Sequence, residues 1–211
     1  LYRNDNGSLL GIKVWIFAAL LAGTVAGVLM AQKVKMTAMP EMVSFFNGMG
    51  GASAALISII EFNHLADLSF PEIATSGATM IILFAGLILG AVTFSGSIMA
   101  WGKLSGRVKD FAFSGQHIVN ILLLLVSIGV AVYISNNLHA DATVLLFYGV
   151  LLASLVYGVF FVMPIGGADM PVVISLLNSL SGISAACGGF LYNNKVILTG
   201  GILVGAAGTI L

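Results

Sequence analysis

Seven apolar runs, each close to the length of a membrane crossing, dominate this sequence. A helix needs about 20 apolar residues to traverse a bilayer's hydrocarbon. The runs fall at approximately Ile12–Ala31, Met39–Ile60, Gly77–Trp101, His117–Ile134, Thr143–Met163, Met170–Leu191 and Val196–Leu211. Apolar residues follow one another directly and do not alternate, which argues against a β-barrel. The eight Lys and Arg and eight Asp and Glu of the 211 residues could not coat a water-soluble globule of this size. A net charge of zero gives no bulk attraction for nucleic acid. The expected fold is all-α, a polytopic transmembrane bundle of about seven helices forming one domain over residues 1–211. The last run stops inside apolar sequence, so the chain reads as truncated at both ends.

Loop charges orient the bundle. Lys33 and Lys35 lie between the first two runs, and Lys103, Arg107 and Lys109 between the third and fourth. The second-to-third connection carries Glu61, Asp67 and Glu72, and the fourth-to-fifth carries Asp141. By the positive-inside rule the two basic loops face the cytoplasm or matrix, with Lys195 a mild exception.

Polar residues inside membrane helices usually face the bundle interior. Glu41, Ser44, Asn47, Gly48 and Gly51 step by three or four and share a face of the second helix. Gly86, Gly90, Thr93 and Ser97 do so on the third, and Ser175, Asn178, Ser181, Gly182 and Ala185 on the sixth. Asp169 opens the sixth helix after Gly166-Gly167-Ala168. One reading is a hydrated seam that relays protons, with Glu41 and Asp169 titrating at its mouth. The other is close backbone packing with interhelical hydrogen bonds, and a helix-dipole role for Asp169. His117 and Asn120 open the fourth helix, where an interfacial role is the plainer reading. Cys187 is the one cysteine, and no His/Cys/Asp/Glu cluster has metal-ligand spacing. Rival functions are a secondary transporter or channel for a small solute and a structural subunit of a larger complex.

Three stretches narrow the choice. They run Lys35-Met-Thr-Ala-Met-Pro-Glu-Met-Val-Ser-Phe-Phe-Asn-Gly-Met-Gly-Gly, Gly90-Ala-Val-Thr-Phe-Ser-Gly-Ser-Ile-Met-Ala-Trp-Gly-Lys-Leu and Gly166-Gly-Ala-Asp-Met-Pro-Val-Val-Ile-Ser-Leu-Leu-Asn-Ser-Leu-Ser-Gly. In order and spacing they resemble the membrane domain of the beta subunit of proton-translocating nicotinamide nucleotide transhydrogenase, from about Gly11 to Leu211. The resemblance implies an oxidoreductase coupling hydride transfer from NADH to NADP+ to inward proton movement. NAD and NADP would bind outside this stretch, on an alpha subunit with further membrane helices and on an NADP(H)-binding domain following Leu211. It also implies a homodimeric assembly in the bacterial cytoplasmic membrane, or secondarily the mitochondrial inner membrane, with the stretch alone inactive. Proton-path residues implied by the match are Asn47, Ser97, Asn178 and Asp169, with Glu41, Ser44, Thr93, Ser175 and Ser181 secondary. Asn47 stands where some relatives carry a histidine important for translocation, so a histidine of the alpha subunit would take that role here.

Overall fold

The computed structural model describes residues 9–67, 77–137 and 142–210. Seven α-helices follow in order: α1 (Leu9–Lys33), α2 (Met39–Asp67), α3 (Gly77–Leu104), α4 (Gln116–Asn136), α5 (Thr143–Val162), α6 (Met170–Leu191) and α7 (Lys195–Ile210). Short 3₁₀ turns, Met36–Ala38 and Gly167–Asp169, lead into α2 and α6. Among the described residues six helices are long and apolar enough to span a membrane, and α7 is a shorter apolar helix. The all-α transmembrane bundle read from the sequence is therefore the fold. Glu72, Asp141 and Leu211 lie outside the described residues.

The chain forms two compact units, Leu1–Met39 and Pro40–Leu211. The first holds α1, which is apolar on every face, as suits a helix in lipid. Its hydroxyl Thr24 turns back onto the Leu20 carbonyl at 2.8 Å, satisfying itself within the helix.

In the second unit α3 is central. Residues 90–93 are all buried, which a helix achieves only when neighbours surround it. Those neighbours are α2, α4, α5 and α6. Close approach depends on missing side chains. A Cβ on Gly51 of α2 would lie 2.8 Å from the Gly90 carbonyl oxygen of α3. A Cβ on Gly158 of α5 would lie 2.5 Å from the Val92 carbonyl oxygen. The α6–α7 hairpin is joined the same way: a Cβ on Gly182 would meet the Gly205 nitrogen at 2.5 Å, and one on Gly201 the Ala186 nitrogen at 2.5 Å. Main-chain contact of this kind is how helices associate where lipid provides no hydrophobic drive. Asn193, at φ 50°, turns the hairpin. The Asn194 carboxamide then caps α7 by accepting from the amides of Val196 and Ile197.

Two apolar clusters lie at different levels. One stacks Phe62 on Phe147 at a centroid distance of 3.7 Å, with Phe84 tilted against Phe147 at 5.7 Å. The other gathers Ala100, Val162, Met170, Val173 and Leu177 at the end of the bundle where Lys103 lies. The aromatic cluster corrects one sequence boundary. Helix α2 was expected to end near Ile60 but runs to Asp67, because Phe62 and Leu65 are buried in that cluster. Glu61 and Asp67 therefore belong to the helix, not the following loop.

Candidate functional site: a polar layer joining three helices

At 1.5 Å per residue, Asn47 lies roughly 12 Å along α2 from Met39, and Ser181 roughly 17 Å along α6 from Met170. Ser97 lies roughly 10 Å back from the end of α3, at Leu104. Because α3 runs antiparallel to α2 and α6, these positions fall at similar depth, and the structure brings them into contact.

Asn47 is the junction. Its Nδ2 donates to Ser97 Oγ of α3 at 3.0 Å, while its Oδ1 accepts from Ser181 Oγ of α6 at 2.7 Å. Ser44, one turn earlier on α2 and fully buried, donates to the Ser97 carbonyl at 2.8 Å. Ser181 Oγ also lies 2.8 Å from the Asn178 carbonyl, so its single proton has two acceptors. Thr93 reaches towards the Leu177 carbonyl of α6 at 3.5 Å. Further along the same three-helix contact, Ser184 donates to the Gly86 carbonyl at 2.8 Å. Ser44, Thr93, Ser97 and Ser184 are all essentially inaccessible, so each polar atom depends on these bonds in a medium without water.

One flank of the layer is open. Gly50, Ser181, Gly182, Ala185, Gly200 and Gly201 line part of a cleft of about 350 Å³ between α2 and the α6–α7 hairpin. Asn47, Asn178 and Ser181 are half-buried, unlike Ser97.

Other residues from the sequence reading lie elsewhere. Ser175 points away from the layer and donates to the Gly208 carbonyl of α7 at 3.0 Å. Ser179 makes the matching bond to the Gly205 carbonyl at 2.7 Å. The Asn178 side chain makes no hydrogen bond among the described residues; its backbone carbonyl is what enters the network. Asp169 is exposed at the start of α6 and its carboxylate caps no amide. Glu41 is half-buried in the first turn of α2, where the helix dipole favours a negative charge. Sequence reasoning ranked Ser181 as secondary, yet it makes the link from α6 to Asn47.

The contacts made by Ser44, Asn47, Thr93, Ser97 and Ser181 fall within the stretches that resemble the transhydrogenase. The sequence model of the NAD(P) transhydrogenase beta subunit matches residues 3–211. The chain belongs to the NAD(P) transhydrogenase beta-subunit family. It is 37% identical over 206 residues to the NAD(P) transhydrogenase subunit beta of Rhodospirillum rubrum, and equally to that of a named strain of the species. The match covers 93% of this chain and 42% of each relative, so the chain spans under half the length of these transhydrogenase subunits. Transhydrogenase beta-subunit membership and six helices long and apolar enough to cross a membrane make this an integral membrane part of such a subunit.

Proposed function

We propose that this chain is the proton-conducting membrane domain of a transhydrogenase, coupling proton movement to hydride transfer from NADH to NADP+. The observation that carries the proposal is the junction at Asn47, where one carboxamide bridges hydroxyls from two other helices within the membrane span. A carboxamide cannot titrate, so Asn47 does not itself carry the charge. What it does is hold polarity. Both its neighbours are hydroxyls, which donate or accept equally well. The amide can therefore turn over, and both bonds reverse direction without either being lost. Ser181 adds a second switch, since its proton can point to Asn47 Oδ1 or fall back on the Asn178 carbonyl.

The titrating group then belongs at the open flank. The cleft beside Ser181 admits water, and a histidine reaching into it from a helix of the alpha subunit would complete the path. Asp169, exposed on the cytoplasmic side, faces the level at which an NADP(H)-binding domain would dock. Proton occupancy and nucleotide state are linked reciprocally if both bias the same arrangement of α6.

The test uses the complete enzyme in sealed vesicles. Asn47→Leu and Ser181→Ala should each lower proton pumping per hydride transferred by about tenfold. Asn178→Leu should lower it as well, through displacement of water from the flank. Unchanged coupled pumping in Asn47→Leu and Ser181→Ala together would reject the layer as the conduction path.

A further inference from the structure

Lys103 has no part in the layer, yet it is among the most completely enclosed charges described. Its side chain is 3% exposed. Its ammonium donates to the carbonyls of Met163 at 2.5 Å, Ile165 at 2.8 Å and Val162 at 3.3 Å, and pairs with Asp110 Oδ1 at 2.8 Å. Val162 ends α5 and Met163 caps it, so these carbonyls are the ones a helix terminus leaves without partners, at the negative end of its dipole. Ile165 lies in the turn that continues through Gly166 and Gly167 to Asp169.

We propose that Lys103 is a positioning residue that fixes this turn, and with it Asp169 and the start of α6, to the end of α3, with Asp110 as the releasable end of the clamp. An ammonium has three protons, and here it has four acceptors. Asp110 can therefore leave without stranding an N–H, because three carbonyls remain. What its departure removes is the counter-charge of a buried cation, which is costly in a dry surrounding. Asp110 is 60% exposed, so the side facing solvent can reach it while the lysine stays enclosed. The carboxylate also overhangs the turn, since a Cβ on Gly166 would lie 3.9 Å from Asp110 Oδ2. Other ties to the turn are short-range or long: Ile165 N to Val162 O at 3.2 Å, Asp169 N to Gly166 O at 3.1 Å and Phe111 N to Met163 O at 3.5 Å. Lys103 alone brings three carbonyls and a carboxylate to one atom. Ser97 lies about 9 Å further along the same helix, so α3 joins the clamp to the polar layer.

The positioning claim stands on geometry alone, and its consequence for coupling rests on the function proposed above. The experiment separates the two. In the complete enzyme with Cys187→Ser and every other cysteine likewise replaced, a spin label is placed at the exposed position Ala168→Cys, and hydride transfer is measured with and without an imposed pH gradient. Lys103→Met should mobilise the label and reduce gradient stimulation about tenfold, within the usual range of coupling free energies. Asp110→Ala should do both to a smaller extent, and Asp110→Glu should restore both. An immobile label in Lys103→Met would overturn the positioning role. If that variant does not assemble, an unchanged label in Asp110→Ala overturns it instead. If the parent enzyme shows no gradient stimulation, the proton-coupling reading fails while the label still decides the clamp.

Discussion

Gly51→Ala tests the link between packing and the polar layer with the addition of a single methyl group. The new Cβ would lie 2.8 Å from the Gly90 carbonyl oxygen, 2.8 Å from the Phe94 nitrogen and 2.9 Å from Thr93 Cβ. Two of these are main-chain atoms and cannot swing aside. Relaxed contacts of this type lie near 3.3–3.6 Å, so α2 and α3 must part by roughly 0.5 Å. Asn47 is one turn from Gly51, and Ser97 one turn from Thr93. The same displacement takes the 3.0 Å Asn47–Ser97 bond to the edge of hydrogen-bonding distance. Overpacking costs about 1–3 kcal/mol, and weakening a membrane hydrogen bond about 0.6 kcal/mol each. Alanine's better helix propensity offsets up to about 1 kcal/mol. The net expectation is about 1–3 kcal/mol of destabilisation, read from denaturant-driven unfolding in micelles, together with loss of proton pumping in vesicles. Gly129→Ala on α4 is the control, because nothing lies within 4 Å of its Cβ position; it should be neutral or slightly stabilising. Equal stability of the two variants, with pumping intact in Gly51→Ala, would refute the argument that glycine contact sets the layer's geometry.

Other substitutions separate structure from conduction. Ser179→Ala removes the bond to the Gly205 carbonyl and should cost about 1 kcal/mol of stability while leaving pumping per hydride unchanged; a pumping defect would place Ser179 in the path. Phe147→Ala empties the fully buried stack against Phe62 and should cost about 3–5 kcal/mol, seen as a large drop in thermal stability of the purified assembly. Asn194→Ala deprives α7 of its cap and should cost about 0.5–2 kcal/mol, detectable as faster amide exchange at Val196 and Ile197.

Helix number, order and approximate ends were legible because apolar length is a direct requirement of the bilayer. The stripe on α2 was legible too: Ser44, Asn47 and Gly51 do share the face that meets α3. On α6 the same reasoning merged two faces. Ser175 and Asn178 are three residues apart, about 60° around the helix, too close for periodicity to resolve. Yet Ser175 with Ser179 serves α7, whereas Ser181 and Ser184 serve α2 and α3. Which neighbour a face meets is a tertiary fact absent from one helix's spacing. Lys103 was read only as a loop charge that orients the bundle. Its burial depends on where α5 ends in space, and no pattern within residues 77–104 carries that information. The α2 extension did leave a signal, since Phe62 and Leu65 are three residues apart and continue the apolar face past the polar Glu61, Asn63 and His64.

The α6–α7 hairpin, docked main chain to main chain, has a mechanical consequence. Side-chain interfaces adapt by changing rotamers, but backbone surfaces that touch directly have little such freedom, and the Ser175 and Ser179 hydroxyls pin the two rods further. A torque applied where Asp169 begins α6 would therefore be shared by both rods rather than taken up between them. The far tip of the pair is the Asn193 bend, about 36 Å from Asp169 at 1.5 Å per residue, so a shift imposed at one end of α6 would be expected at the other.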